Sequence, residues 1–143
     1  MTKNFYVDSC VYLNLWQKEE NNGVQFWVFA ERFFEKCELD NSEIYYSGFL
    51  LKELSFILTE EEFDAKKELF CSLPTFKKIT LSREEFEQAR KIESKERYEI
   101  SFYDIIHMLL AKKTKSILVS RDMKLLQTAK KYEVEAKKPE ELL

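Results

Sequence analysis

The stretch "FYVDSC", residues 5–10, decides the fold because it joins a short apolar run of β-forming residues to an acid near the start of the chain. Such a run is typical of a buried strand in a sheet, and the acid that ends it then lies at the carboxyl edge of that sheet. Ligands bind at this edge in open α/β folds. We therefore interpret Asp8 as a candidate functional residue, with capping of the following segment "SCVYLNLW" as the structural alternative.

Strand and helix signals alternate along the rest of the chain. Short segments of β-forming residues occur at "SEIYYS", "FKKITL" and "SILVS", and segments of helical period stand between them. Thr59 with Glu62 and Ser82 with Glu85 form the pattern of a capping box, which predicts a helix start at each place. The polar spacer "QKEENNG" predicts a loop, "VEA" a last short strand and "PEELL" a terminal helical turn.

This alternation predicts an α/β fold. Parallel strands that follow one another need a crossover, and the crossover helix packs on a face of the sheet. With 143 residues, 45% of them apolar, the chain is long enough for one sizeable core and too short for two ordinary domains. We therefore predict one domain over residues 1–143, a three-layer α/β/α arrangement with a central, mainly parallel sheet.

Composition excludes several classes of function. Two glycines provide neither G-x-G-x-x-G nor G-x-x-x-x-G-K, so dinucleotide-binding and P-loop proteins are disfavoured. Cys10, Cys37 and Cys71 are odd in number and widely spaced, which favours neither a disulfide framework nor a thiolate zinc site. The only histidine, His107, lies in an apolar helix without a nucleophile elbow, which disfavours a covalent hydrolase. The net charge of −3 leaves any nucleic-acid binding to local basic patches or to metal ions.

The start of the chain and its hydropathy favour a cytoplasmic protein. "MTKNFYVD" lacks the basic and apolar parts of a signal peptide, and no apolar run reaches the length needed to span a membrane. The unpaired cysteines fit a reducing compartment. We expect no membrane association.

Four acids recur at equivalent places of the predicted fold. Asp8 ends the first strand and Glu53 lies in the helix after the second, whereas Asp104 opens the helix "SFYDIIHMLL" and Asp122 follows the strand "SILVS". All four then lie near the carboxyl edge of one sheet. Like charges this close raise one another's pKa, and a divalent cation with oxygen ligands relieves the repulsion. Without a histidine or cysteine cluster, the pattern favours Mg²⁺ or Mn²⁺ over zinc.

Each of the later acids also has a structural alternative. Asp104 stands three residues after Ser101 and matches a variant capping box, and Asp122 is placed to cap its own helix. Glu53 has mostly apolar neighbours in "FLLKELSFIL", and an acid on a buried face is rarely kept without a partner. A position on the solvated face of that helix is the alternative for Glu53.

At these motifs the sequence resembles the PIN domain family, small metal-dependent nucleases that include the VapC-type toxins. The resemblance rests on "FYVDSCVYL", "SGFLLKEL", "SFYDIIHMLLAKK" and "ILVSRDMKLL", in this order, and it extends to the terminal "KKPEELL". It implies that Asp8, Glu53, Asp104 and Asp122 are the catalytic, metal-binding acids. It also implies that Ser120 lies near the site, where the family commonly has a threonine or serine.

Three further residues complete the predicted surroundings of the site. Cys10 departs from the family, which often has an asparagine there, and we expect weaker orientation of the metal shell as a result. Arg121 is the basic residue that we place nearest the substrate, together with Ser120. His107 is interpreted as a packing or polar neighbour of Asp104, with metal ligation as the less favoured alternative.

Further candidates for phosphate contacts, most of them better explained as a solvated face, are the lysines at 77–78, 112–115, 130–131 and 137–138.

The predicted function is hydrolysis of RNA phosphodiester bonds with Mg²⁺ or Mn²⁺, and the resemblance alone favours RNA over DNA. It also implies an antitoxin protein as a partner and a homodimer, for which the aromatic segment 16–37 offers either an interface or plain core packing. A catalytically silent PIN-like module that binds nucleic acid or protein is the alternative. A phosphoacceptor receiver is disfavoured, because "VDSC" and "VSRD" supply neither its paired acids nor its lysine.

Overall fold

The structure, a computed structural model, describes residues 3–143. The strands are β1 (Asn4–Val7), β2 (Glu20–Asn21), β3 (Val24–Gln25), β4 (Glu43–Tyr46), β5 (Phe76–Lys78), β6 (Ile117–Val119) and β7 (Ala136–Lys137). The helices are α1 (Ser9–Trp16), α2 (Phe26–Leu39), α3 (Gly48–Ile57), α4 (Glu60–Ser72), α5 (Arg83–Lys95), α6 (Phe102–Lys113) and α7 (Met123–Lys131), and a 3₁₀ turn covers Pro139–Leu142.

Five of the strands form one parallel sheet in the order β5-β4-β1-β6-β7. The first strand is central, and Phe5 lies opposite Ile44 of β4 on one side and Ile117 of β6 on the other. Because every pairing is parallel, the carboxyl ends of all five strands meet at one edge, and the predicted α/β class is confirmed.

The side chains of β1 alternate between two cores, as the pleat of a strand requires. Phe5 and Val7 belong to the core that α1, α2 and α3 cover, together with Phe33 of α2. Tyr6 belongs to the opposite core, where it packs with Ile106 of α6 and the neighbouring strand residue Leu118. Helices therefore cover both faces of the sheet, and the predicted three-layer arrangement is confirmed.

The helix starts follow local capping chemistry. Both predicted capping boxes are present, Thr59 with Glu62 and Ser82 with Glu85. Within the described part of the chain, no helix combines the length and the apolar character needed to cross a membrane.

Two boundaries differ from the sequence prediction. The spacer "QKEENNG" is not wholly a loop, because β2 and β3 form a small antiparallel hairpin across it. Asn22 and Gly23 have positive φ values of 50° and 79°, the combination that closes a tight two-residue hairpin. The last strand covers Ala136–Lys137 rather than "VEA", since its pairing with β6 begins at Ala136.

Candidate metal centre

Asp8 directly follows β1 and lies at the carboxyl edge of the sheet, as predicted. Its backbone N–H donates to the Val119 carbonyl at 2.9 Å, which continues the pairing of β1 with β6 by one residue. Its Oδ1 accepts the Ser9 N–H at 2.8 Å, and its Oδ2 accepts the Ser120 hydroxyl at 2.8 Å. Asp8 thus caps α1 and also presents a buried, firmly held carboxylate, only 4% exposed, at the edge.

Glu53 projects from α3 toward the same place and has a partner that the sequence did not reveal. Its Oε1 is hydrogen bonded to Nε2 of His107, which lies on α6. The Glu53 side chain is 20% exposed, whereas His107 is completely buried behind it. The alternative position on a solvated helix face is therefore excluded for Glu53.

The surrounding carboxylates influence His107. Burial lowers the pKa of this imidazole, but the hydrogen bond with Glu53 and the charges of Asp8, Glu53 and Asp104 outweigh burial, so that its pKa is raised. The imidazole of His107 therefore interacts electrostatically with three acids of the site, Asp8, Glu53 and Asp104.

Asp104 carries the clearest sign of uncompensated charge. It lies in the first turn of α6, where its backbone N–H bonds to the Ser101 hydroxyl at 3.1 Å. Its carboxylate has no hydrogen-bond partner within residues 3–143, so only half of a capping box is present. Burial and then the charge of Asp8 raise its pKa to about 7, with further contributions from Asp122 and Glu53 and an opposing one from His107.

Asp122 lies at the N-terminus of α7 and caps it. Its Oδ1 accepts the backbone N–H groups of Lys124 and Leu125 at 2.9 and 3.2 Å. The residue is exposed, and its charge contributes to the raised pKa of Asp104. The capping alternative is thus correct for Asp122, and the same carboxylate also lies on the acidic edge.

Ser120 and Cys10 lie beneath the acids and support Asp8. The fully buried Ser120 donates to Asp8 and accepts the Asp122 N–H at 3.1 Å. The Cys10 sulfur is 3.5 Å from Asp8 Oδ2 and accepts the Arg121 N–H at 3.5 Å. Burial and the charge of Asp8 raise the pKa of this thiol, so it acts as a weak hydrogen-bond donor.

The guanidinium of Arg121 contacts other side chains of the protein. Nε donates to Asn14 Oδ1 at 2.8 Å, and the two terminal nitrogens lie 2.9 and 2.8 Å from the Glu140 carboxylate oxygens. The guanidinium also lies 4.2 Å from the ring centre of Phe26. These contacts join α1, α2 and the terminal 3₁₀ turn, and the substrate-binding roles predicted for Arg121 and Ser120 stay predictions.

The donor set of this edge fits a hard divalent cation. Ligand atoms of Asp8, Glu53 and His107 lie within 4.8 Å of one another. Asp104 is close enough to interact electrostatically with all three, and also with Asp122. Carboxylate oxygens are the ligands that Mg²⁺ and Mn²⁺ prefer, and a bound cation would relieve the repulsion that raises the pKa of Asp104.

Sequence reasoning missed the polar residues behind Glu53. Tyr6 and Ser47 are both buried, and the Tyr6 hydroxyl is hydrogen bonded to Ser47 and to His107. In the sequence, Tyr6 is an ordinary strand residue and Ser47 an ordinary helix cap. The one available signal was that the only histidine shares an apolar helix with Asp104.

A parallel five-stranded sheet that gathers acids at its carboxyl edge, with helices on both faces, defines a class of small α/β domains built around an acidic site. A family model described as "PIN domain" matches residues 5–131. This chain belongs to the PIN domain family, whose members are generally nucleases.

Solved structures support the same fold. FitAcB from Neisseria gonorrhoeae is 17% identical, with a TM-score of 0.63 over 94% of this chain and 97% of that one. FitAB bound to the IR36 DNA fragment is 16% identical, with a TM-score of 0.64 over 94% of both chains. PAE2754 from Pyrobaculum aerophilum is 18% identical, with a TM-score of 0.55 over 99% and 95% of the two chains. No curated protein matches the sequence.

Proposed function

We propose that this protein is a cytoplasmic, metal-dependent endoribonuclease that hydrolyses RNA phosphodiester bonds. The observation that carries the proposal is the partly buried Asp104 carboxylate, which has no hydrogen-bond partner within residues 3–143 and whose pKa is raised to about 7 by burial and by the neighbouring acids. A structural acid would be expected to have a partner, whereas a metal ligand gains one when the cation binds. Membership of a family of nucleases supports the same interpretation.

The chain's own residues would hold one or two Mg²⁺ or Mn²⁺ ions through Asp8, Glu53, Asp104 and Asp122. Such an ion would lower the pKa of the water that acts as the nucleophile and would neutralise the substrate phosphate. Ser120 keeps Asp8 oriented, because it donates to Oδ2. Asp122 uses Oδ1 for the α7 cap, so that Oδ2 is the oxygen we assign to the site.

The activity test compares cleavage of a mixed-sequence labelled RNA in Mg²⁺, in Mn²⁺ and in EDTA. Asp8→Asn and Asp104→Asn are expected to lose at least 100-fold of the metal-dependent cleavage, whereas Asp64→Asn, an exposed acid on α4, should cleave like the wild type. Equal cleavage in EDTA, or by the Asp104 variant, would contradict the proposal. Metal binding without cleavage of any RNA would instead favour the catalytically silent PIN-like module.

We further propose that the protein acts as the toxin of a toxin-antitoxin pair and forms a homodimer. The resemblance to VapC-type toxins supports both statements, and a structural neighbour is described as FitAB bound to a DNA fragment. Light scattering on the purified chain tests the dimer. Expression in a bacterial host, alone and together with the product of the adjacent reading frame, tests the pair, and growth arrest that the second product does not relieve counts against it.

A further inference from the structure

Four side chains form a continuous hydrogen-bonded chain behind the acidic site. The Tyr6 hydroxyl lies 2.7 Å from Ser47 Oγ and 2.7 Å from Nδ1 of His107. The imidazole continues the chain through Nε2 to Oε1 of Glu53. Tyr6 and His107 are fully buried, and Ser47 is 1% exposed. Water therefore does not compete for these groups.

The chain begins and ends on the same helix. Ser47 is the N-cap of α3 and accepts the Leu50 N–H at 3.2 Å, whereas Glu53 lies nearly two turns after Ser47 in α3. Between them, the chain passes through Tyr6 of β1 and His107 of α6. The arrangement links α3 to the central strand and to the helix that carries Asp104, and so sets where the Glu53 carboxylate stands relative to the other acids.

The proton positions follow from counting donors and acceptors. If Ser47 donates to Tyr6 and Tyr6 donates to Nδ1 of His107, every hydroxyl proton in the chain has an acceptor. In the neutral imidazole Nε2 then carries the ring proton and donates it to Glu53, and in the imidazolium both nitrogens carry protons, so Nε2 is the donor in either protonation state. A protonated Nε2 has no lone pair for a metal ion. His107 therefore orients a ligand instead of being one.

We propose that Tyr6 and His107 are positioning residues that hold Glu53 in the geometry required for divalent metal binding. This inference rests on the metal centre of the proposed function. Partners of this kind behind a metal ligand typically change metal affinity by about 10- to 100-fold when they are removed.

The test measures Mn²⁺ affinity by calorimetry on metal-free protein, with no RNA present. Tyr6→Phe removes one hydroxyl and keeps the ring, and we expect it to weaken Mn²⁺ binding by about 10-fold. Tyr12→Phe is the matched control, because the Tyr12 hydroxyl is buried without a hydrogen-bond partner within the described residues. This control should bind Mn²⁺ like the wild type.

A double-mutant cycle tests whether the effect passes through the imidazole. His107→Leu should weaken Mn²⁺ binding by up to about 100-fold, and Tyr6→Phe should have no further effect in the His107→Leu background. Additive losses would overturn the proposal. If His107→Leu does not fold, Tyr6→Phe against Tyr12→Phe decides alone.

Two further outcomes identify what His107 does if the proposal is wrong. A lower urea midpoint with unchanged Mn²⁺ affinity in Tyr6→Phe would make the chain purely structural. A loss of Ni²⁺ affinity in His107→Leu at least 10-fold larger than the loss of Mn²⁺ affinity would make His107 a direct nitrogen ligand, because imidazole favours Ni²⁺ more than Mn²⁺.

A wild type that binds no divalent ion overturns the positioning proposal together with the metal centre, whereas metal binding without RNA cleavage overturns only the nuclease activity.

Discussion

The hydroxyl of Ser120 donates a 2.8 Å hydrogen bond to Oδ2 of Asp8, although the two residues are 112 positions apart in the chain. The hydroxyl oxygen of Ser120 also accepts the backbone N–H of Asp122 at 3.1 Å. One buried side chain thus joins the carboxyl ends of β1 and β6, the two neighbouring strands that carry acids of the site. Its position makes the geometry of the site depend on the pairing of these strands.

Ser120→Ala is expected to reduce both stability and metal affinity. A hydrogen bond to a charged acceptor contributes about 1.5–3 kcal/mol, so the free energy of unfolding should fall by that amount, and Mn²⁺ affinity should fall by about 10-fold as Asp8 gains freedom. Urea denaturation and calorimetry measure the two effects. Ser116→Ala is the control, since Ser116 is buried before the same strand and bonds Thr114 Oγ1 at 2.7 Å. If Ser116→Ala loses as much metal affinity as Ser120→Ala, Ser120 has no specific role in metal binding.

Asp104 should make the metal-free protein less stable as the pH rises. Its pKa increases from 3.8 to about 7 on folding, so between these values the folded state binds more protons than the unfolded state. The free energy of unfolding therefore falls with pH across this window. In EDTA, Asp104→Asn should match the wild type near pH 4 and exceed its urea midpoint at pH 8. A variant that is less stable than the wild type at pH 8 would contradict this reading.

Metal binding should restore the stability that the metal-free protein loses when Asp104 ionises. A ligand at 100 times its dissociation constant stabilises the folded state by about 2.7 kcal/mol, which corresponds to a rise in Tm of roughly 5–10 °C for a chain of this size. We expect Mn²⁺ to produce such a rise at pH 8 and a much smaller one at pH 5.5, where Asp104 is largely protonated. Scanning calorimetry with and without EDTA measures it. Asp8→Asn should show no rise at either pH.

Arg121 is expected to matter for stability in the absence of any nucleic acid. Its guanidinium pairs with Glu140 at 2.8 Å and is only 11% exposed. Removing one partner of such a pair leaves the other uncompensated, and Arg121→Ala should cost about 2 kcal/mol. Arg121→Ala, Glu140→Ala and the double variant form a cycle that urea denaturation can follow. Additive losses would mean that Arg121 and Glu140 are not coupled, and would contradict a stabilising role for this pair.

The lysines that are candidates for phosphate contacts lie at two opposite edges of the sheet. Lys77 and Lys78 end β5 at the carboxyl edge, whereas Lys115 precedes β6 and Lys130 lies near the end of α7, both at the opposite edge. Replacing the first pair with glutamine should weaken RNA binding several-fold and reduce the slope of log affinity against log salt by about 1.4, or about 0.7 for each lysine on a single strand. The second pair serves as the control and should change neither. Fluorescence anisotropy over a salt series measures both, and equal effects of the two pairs would place the RNA elsewhere.

Local patterns predicted most of the fold. The S/T-x-x-E patterns at Thr59 and Ser82 marked helix starts correctly, because capping involves only neighbours in the chain. The hairpin β2-β3 was missed because its strands are two residues each, too short to show a period. The capping interpretations of Asp8 and Asp122 were correct together with their placement at the sheet edge, since one carboxylate has two oxygens and can serve both purposes.

The sequence by itself determined the class of fold and the placement of acids at one sheet edge, because alternating strand and helix segments leave parallel pairing as the only economical topology. Only the tertiary structure decided what each acid touches. The Tyr6–His107–Glu53 chain joins residues 101 and 54 positions apart, and no local pattern records such pairs. The ion pair between Arg121 and Glu140 likewise depends on the packing of the terminal 3₁₀ turn against the core that includes α1 and α2. Hydrogen bonds between distant side chains depend on how the layers pack, and packing is a property of the whole chain.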